Sequence, residues 1–388
     1  MVIAQGGSIM FSAGHHRILS TLSRHGSMSR TDLARNLALS KASVTLLVRD
    51  LIARGVLREQ ELVFGQGRPS VTLGLCSDAA SFVGISLQTD PVTVVLTDPH
   101  GRVLAEHSMR READPAICFP QLAAAVETVR AQAGPDVGPI AGIGVAQPGF
   151  VSRDRRVCLA SAALGWVDLD VAGRLSSLTG LPVFVENDAN ALILGEQLFG
   201  PTGDRPDFSL VFVGDGIGSA HIVNGRLHRG HHGGAGELSH SPIAFGSQDA
   251  LPCRCGNRGC LETVSSLQAI RGAARQVGLT TDIAELVALT ANGHPEALAI
   301  LHRAGTALGI ALAQLVQMFD PSQVVVILDP ALKESVFGRV LRQEMETHVL
   351  RRAGVQTALT LRGAEANSFA TGAAGLAAQH YLFGSDWT

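Results

Sequence analysis

The chain has 388 residues, 46% hydrophobic and 17% charged, which is globular composition with material for two or three domains and excludes a disordered chain. No apolar run reaches the ~18 residues that span a bilayer. The opening MVIAQGGSIMFSAGHHR lacks a basic segment followed by a long apolar stretch, so a cytoplasmic protein without secretory signal or membrane partner is expected. The net charge of −3 is unevenly spread: residues 1–75 hold nine basic and four acidic side chains, a balance of +5, against −8 for the remainder. A basic segment on an acidic body points to a nucleic-acid-binding module joined to something else.

Three helices are expected in quick succession. The first covers residues 16–25, with Ile18 and Leu22 four apart. Ser29 caps a short second helix, RTDLARN, with Asp32 three residues on, a carboxylate form of the capping box. Ser40 caps a longer helix, KASVTLLVRDLIARG, that stops at Gly55. Val44, Leu47, Val48 and Leu51 lie at i, i+3, i+4 and i+7 and form its buried face, while Lys41, Ser43, Thr45 and Arg49 stand opposite. The stretch VLREQELVFGQGRPSVTLGL then reads as two strands around a Gly-Gln-Gly-Arg-Pro tip, a wing. This is the layout of a winged helix-turn-helix over residues 1–75, whose last helix enters the major groove. Lys41, Ser43 and Thr45 are its expected base readers, with Arg49 on the same face. Ser29, Arg30 and Thr31 are expected to hold phosphates, and Arg68 to enter a narrow A·T-rich minor groove. The competing reading is a small helical domain for protein contacts; the wing and the positive balance favour DNA.

From residue 81 the texture becomes α/β. FVGISL, VTVVLTD and RVLAEHS read as strands, followed by a helix near 119–133 and a strand, AGIGVAQPG. After a helix near 169–179, LPVFVENDANALILGE is a strand running into a helix. FSLVFVGDGIGSAHIVNGRL repeats the strand–turn–strand–turn unit of 82–107 at 208–229. This is a weak internal duplication: two similar lobes with a cleft between them. QVVVILDP is a buried strand, and EANSFATGAAGLAAQHYLF is a closing helix whose Ala/Gly content suits close packing on the first lobe. The expected body is 76–388, with lobe one at about 80–185 plus 365–383 and lobe two at about 186–364.

Cys76, Cys118 and Cys158 stand alone, as buried small apolar residues do. Cys253, Cys255 and Cys260 cluster in CRCGNRGCLE, and His240 ends the run HHGGAGELSH upstream. Three thiolates and an imidazole make the closed tetrahedral set that structural zinc takes, with no position left open for catalysis. His231 and His232 are alternative imidazoles.

Together these residues resemble the ROK family of repressors, open reading frames and sugar kinases within the actin-like ATPase superfamily. The resemblance covers nearly the whole chain. The helix-turn-helix and wing resemble the repressor branch, and AGIGVAQPG, FVENDANA, HHGGAGELSH and CRCGNRGCLE match family signatures in order and spacing. The implied fold is multi-domain: a mainly α winged helix-turn-helix, then an α/β actin-like, ribonuclease H-like, two-lobed ROK domain. The implied zinc ligands are His240, Cys253, Cys255 and Cys260. Asn187, Asp188, Glu237, His240 and Glu262 are implied to line a sugar pocket, with His240 facing metal through one ring nitrogen and sugar through the other. Asp188 matches the general base of the kinases. Ser239 departs from the family's usual glycine.

The nucleotide side departs further. Family kinases carry an Asp-x-Gly-Gly-Thr-Lys loop at the first strand pair; here the stretch is Gly84-Ile-Ser-Leu-Gln-Thr-Asp90, with bulky Leu87 and Gln88 where phosphate must approach. The second loop, usually Gly-Thr-Gly-x-Gly, is Gly214-Asp215-Gly216-Ile217-Gly218, and Asp215 opposes an anion. Leu328-Asp329 replaces a later diglycine. Loss of the phosphate cradle removes most of phosphoryl-transfer catalysis, so no ATP is expected and Asp188 is read as a sugar ligand. The expectation is a non-enzymatic, sugar-responsive repressor that binds operator DNA as a homodimer or homotetramer. Lobe closure on a sugar would re-aim the winged helices. The alternatives are an ATP-dependent sugar kinase with a DNA-binding appendage and a body that binds a protein partner. Trp166 either stacks on a pyranose face or fills the core.

Overall fold

A computed structural model describes residues 11–63, 70–202, 205–243, 250–350 and 356–384. The chain divides into two compact units, Met1–Asp204 with Asn367–Thr388, and Arg205–Ala366.

The first unit opens with α1 (Ala13–His25), β1 (Met28–Ser29), α2 (Arg30–Asn36), α3 (Lys41–Ala53), β2 (Leu57–Val63) and β3 (Ser70–Leu75). Each helix starts on a serine: Ser12, Ser29 and Ser40 accept from the backbone N–H three residues on. The Ser12 cap starts α1 three residues ahead of the sequence-based boundary. The strands form an antiparallel sheet in the order β1-β3-β2. Ile18, Leu19, Leu22, Leu33, Val44, Val48 and Leu51 are buried between helices and sheet.

Next come β4 (Ser81–Ser86), β5 (Val92–Thr97), β6 (Val103–Met109), α4 (Pro115–Ala133), β7 (Ile140–Gln147), β8 (Phe150–Val151), β9 (Val157–Ser161), β10 (Trp166–Asp170), α5 (Val171–Thr179), β11 (Val183–Asn187) and α6 (Asp188–Phe199). The main sheet runs β6-β5-β4-β7-β11; the first three strands are antiparallel, and β4, β7 and β11 are parallel. Trp166 lies in the core over α4, stacked on Phe119 at 5.7 Å between ring centroids. That decides between its two expected roles: it fills the core.

The second unit contains β12 (Phe208–Val213), β13 (Ile217–Val223), β14 (Arg226–Leu227), α7 (Glu262–Ser265), α8 (Leu267–Gln276), α9 (Ile283–Ala291), α10 (Pro295–Phe319), β15 (Gln323–Leu328), α11 (Pro330–Lys333), α12 (Val336–His348) and β16 (Ala358–Gly363). Its sheet runs β14-β13-β12-β15-β16, three strands antiparallel and then two parallel, the connectivity of the first sheet repeated. Helix α10, at 25 residues, is long and apolar enough to cross a membrane by length and composition. Its apolar side chains, among them Leu301, Leu308 and Leu312, are buried in this unit's core.

The chain returns to the first unit through α13 (Ser368–Phe383). This helix lies directly on β4 and β7 because both strands carry glycine where it crosses: a Cβ at Gly84 would strike the Ala370 carbonyl, and one at Gly144 the Ala373 carbonyl. Gly372 makes the same close approach to Gly195 of α6. That contact keeps α6 in the first unit, so the division falls after 204 instead of the expected 185. The end of α13 joins the winged-helix core: Leu382 and Phe383 share one buried cluster with Ile18, Leu19, Leu22 and Leu51.

A substitution pair tests the close packing. Gly144→Ala is expected to lower stability by about 1–3 kcal/mol through overpacking. Gly272→Ala, in α8 with open space around it, is expected to raise it by up to about 1 kcal/mol. Denaturant midpoints that move together would contradict this packing.

Candidate functional site

On the winged helix, Lys41, Ser43, Thr45 and Arg49 all stand exposed on α3. Ser43 shares its hydroxyl with Ser40 at 2.8 Å, and Thr45 donates to the Lys41 carbonyl at 2.7 Å. Both hydroxyls thus keep a lone pair for a donor, and the Thr45 methyl remains free for apolar contact. Leu46 is 60% exposed on the same helix. It was not among the expected DNA contacts, although it falls outside the 44/47/48/51 core pattern. Its chemistry suits a thymine methyl. Arg30 reaches Glu59 at 2.8 Å and Thr31 is exposed. Ser29 is buried, accepting from Asp32 N and donating to its Oδ2 at 2.6 Å. Its hydroxyl is consumed in capping α2, which leaves it unsuited to the expected phosphate contact. Arg68 lies outside the described residues.

In the body of the first unit, Asn187 caps α6. Its Oδ1 accepts from the N–H groups of Ala189 (3.0 Å) and Asn190 (3.3 Å), and its Nδ2 donates to the Gly149 carbonyl at 3.1 Å. One amide proton is left for a ligand. Beneath it, buried Glu186 accepts from Asn187 N (3.0 Å) and Asn190 Nδ2 (3.1 Å), with Arg155 Nε 4.0 Å away. Asp188 is half-buried and accepts from Ala189 N at 2.8 Å. At the end of β4, Leu87 is wholly buried, its N–H bonded to the Ala146 carbonyl and its carbonyl to Arg111 Nη1. That backbone continues the sheet at the place where a phosphate cradle would need free N–H groups.

In the second unit, His240, Cys253, Cys255 and Cys260 gather, their ligand atoms all within 4.8 Å of one another. Cys253 Sγ is 3.5 Å from His240 Nδ1, and Cys255 Sγ is 3.7 Å from Cys260 Sγ. Bonds from Cys253 N to the Asn257 carbonyl, Gly256 N to the Cys253 carbonyl and Gly259 N to the Leu251 carbonyl fold the loop so that the sulfurs converge. Burial and its cysteine neighbours push the Cys260 thiol up to about 12, whereas the backbone hydrogen bond at Asn257 lowers that of exposed Cys255; a metal ion binds such residues as thiolates. This His/Cys₃ group could hold a metal ion. His231 and His232 are exposed, packed on each other, and outside the group. The second ring nitrogen of His240 faces away from the sulfurs, 3.8 Å from Glu237 Oε2. Ser239 is buried, and buried Glu262 begins α7. In the turn between β12 and β13, Gly214 N donates to the Gly216 carbonyl and Asp215 pairs with Arg271 at 2.6 Å. Asp329, where a kinase diglycine was sought, caps α11. Arg254 and Arg271 were not among the expected site residues; no spacing rule singles out an arginine by the carboxylate it meets.

A family model described as ROK family matches residues 82–380, and one described as MarR family matches residues 11–62. The xylose repressor of Bacillus subtilis (strain 168) is 26% identical over 371 residues, covering 94% of each chain. A glucokinase of Streptomyces coelicolor is 29% identical over 280 residues, 65% of this chain and 86% of that protein. Among solved structures, one titled as a ROK family transcriptional regulator, homolog of E. coli MLC protein, superposes with a TM-score of 0.81 at 27% identity over 96% of both chains.

Asn187→Ala is expected to lower stability by about 1–2 kcal/mol through loss of the α6 cap, while Asn187→Asp, which keeps the acceptor, retains most of it. Equal denaturation midpoints for the two variants would contradict the capping role.

Proposed function

The chain belongs to the ROK family, and on that premise we propose that it is a sugar-responsive transcriptional repressor acting in the cytoplasm. The observation that carries this reading is the shared core of the first unit. The helix presenting Lys41, Thr45 and Arg49 is packed, through α1, into the same buried cluster as the helix that lies on β4, β7 and α6. A DNA reader and a candidate sugar-binding strand end are thereby parts of one body.

Lys41, Ser43, Thr45 and Leu46 face base edges, and Arg30, Thr31 and Arg49 face phosphates. Arg68 is assigned to the wing contact. The protein binds as a homodimer or homotetramer, with recognition helices ~34 Å apart in successive major grooves. The effector is a sugar; in the first unit Asn187 and Asp188 are proposed as hydroxyl partners, and within the second unit, taken by itself, Glu237, His240 and Glu262 are proposed as hydroxyl partners. Relief of repression needs only ~1–3 kcal/mol of coupling to change occupancy 5–150-fold.

Within the first unit a chain of rings offers the route. Phe184, three residues before Asn187, packs against His380 with ring centroids 4.5 Å apart and planes tilted by 37°. The next residue, Tyr381, sits between Phe82 of β4 at 5.5 Å and Phe11, just ahead of α1, at 5.2 Å. Burial pushes the Tyr381 hydroxyl up to about 12, so at neutral pH it is an uncharged wedge. A movement of β11 and α6 on sugar binding reaches α1 through these rings.

The ion in the His/Cys₃ group is zinc. Zn–S bonds of ~2.3 Å and Zn–N bonds of ~2.0–2.1 Å at tetrahedral angles require S···S edges of ~3.8 Å and S···N edges of ~3.6 Å. Two of the six spacings, 3.7 and 3.5 Å, match those edges, and all four ligand atoms lie within 4.8 Å of one another. Bound there, zinc would supply folding free energy; His240, Cys253, Cys255 and Cys260 would hold it, with the other ring nitrogen of His240 3.8 Å from Glu237 Oε2. We read the chain as a non-enzyme. The kinase alternative has Asp188 and the glucokinase relative in its favour, but Leu87 and the Arg271-paired Asp215 leave no phosphate cradle among the described residues of these two turns.

Fluorescence anisotropy on the DNA upstream of the protein's own coding sequence tests the reading. Salt-sensitive binding, weakened by one of a panel of sugars without ATP, is expected. Binding that no sugar shifts, but that an added protein releases, would replace the sugar with a protein effector; steady ADP release with sugar and Mg-ATP would establish a kinase. Arg49→Ala is expected to weaken all sequences alike and to reduce the log–log salt slope by about one, whereas Lys41→Ala loses about 1–3 kcal/mol on the operator alone. Stripping the metal with a chelator and a thiol reagent is expected to abolish the sugar response; retention of a full response after metal loss would contradict the zinc assignment.

A further inference from the structure

In the second unit the turn Gly214-Asp215-Gly216-Ile217-Gly218 is occupied by the chain's own arginines. Arg271 takes Asp215. Arg254, which projects from the cysteine loop between Cys253 and Cys255, lays its guanidinium over Gly216. A Cβ on Gly216 would stand 2.8 Å from Arg254 Nη2 and 3.3 Å from Glu262 Oε2. The same guanidinium forks onto Glu262, Nε to Oε1 at 2.7 Å and Nη2 to Oε2 at 3.0 Å. The Glu262 side chain is 9% exposed and that of Arg254 59%. Both carboxylate oxygens are therefore committed to one planar donor, which fixes the orientation of the group. Without that donor a carboxylate so buried turns toward water. Gly216 is not in the left-handed region of backbone space, so it is space, not a dihedral angle, that demands a glycine here.

We propose that Arg254 is a positioning residue for Glu262, and that Gly216 lacks a side chain in order to seat it. A turn of the kind that faces phosphate in a nucleotide enzyme here holds the cation that aims a sugar-binding carboxylate. The inference rests on Glu262 being a sugar ligand. It also specifies the effector's chemical class. Glu237 and the oriented Glu262 are acceptors, two carboxylates against one guanidinium that is already paired. They select a neutral polyhydroxyl sugar, whose hydroxyls donate, over a sugar acid or sugar phosphate, which they repel.

The test is calorimetric titration of the full chain with D-xylose, D-glucose and D-glucose 6-phosphate, for the wild type, Arg254→Ala, Arg254→Lys, Gly216→Ala and the Gly216→Ala/Arg254→Ala double variant. Arg254→Ala and Gly216→Ala are each expected to weaken the neutral sugar about tenfold to a hundredfold. Arg254→Lys, which keeps the charge but not the fork, is expected to fall between wild type and Arg254→Ala. The double variant is expected to lie within about twofold of Arg254→Ala, because the added methyl then has nothing to displace. Gly216→Ala changes no residue of the cysteine loop and displaces only the far end of the Arg254 side chain, so unchanged metal content and melting midpoint in that variant separate loss of orientation from loss of folding. Wild-type binding that neither single variant alters, or losses that add in the double variant, would overturn the positioning role while leaving the sugar reading in place. Tighter binding of the 6-phosphate than of glucose would overturn the neutral-effector assignment. A wild type that binds none of the three would overturn the sugar reading and this inference with it.

Discussion

The first unit depends on one contact, the laying of a helix backbone onto a sheet backbone. Helix α13 reaches β4 and β7 so closely that the Ala370 and Ala373 carbonyls fill the space of absent side chains at Gly84 and Gly144. Interfaces of this kind are stiff, because neither side has a rotamer with which to yield. A stiff helix that touches α6 through Gly195 and Gly372, and enters the winged-helix core through Tyr381, Leu382 and Phe383, carries displacement between those places. Gly84, which heads the stretch standing where family kinases carry their first phosphate loop, is spent here on packing.

The second unit makes the complementary point about charge. Its sheet repeats the connectivity of the first, and the turn between its first two strands keeps three glycines. What differs is the partner of the turn. Asp215 and Gly216 are matched to Arg271 and Arg254, so the local field is neutralised internally. The chain is similar both to a protein named as a repressor and to one named as a glucokinase, and function lives in the side chains placed on a scaffold.

Much of this was legible in the sequence because the signals were local. The 44/47/48/51 periodicity, the serine caps and the spacing of Cys253, Cys255 and Cys260 each depend on neighbours along the chain, and the strand–turn repeat announced two like sheets. What escaped notice depends on distant partners. The division after 204 follows from Gly195 meeting Gly372, across more than a hundred intervening residues. Trp166 had two open roles until Phe119 supplied its stacking partner. Ser29 presents the same residue type whether it holds a phosphate or caps a helix, and only its burial decides. Arg254 is one arginine among many until Glu262 and Gly216 are seen beneath it.

In the reading proposed above, the sugar response travels through α13 into α1. Hydrogen exchange of the full chain, with and without the sugar that releases DNA, tests it most directly. Protection is expected to change at β11 and α6 and, with the same dose dependence, in the last turn of α13 and in α1. A change confined to β11 and α6, with α1 and the end of α13 flat while DNA is released, would contradict it.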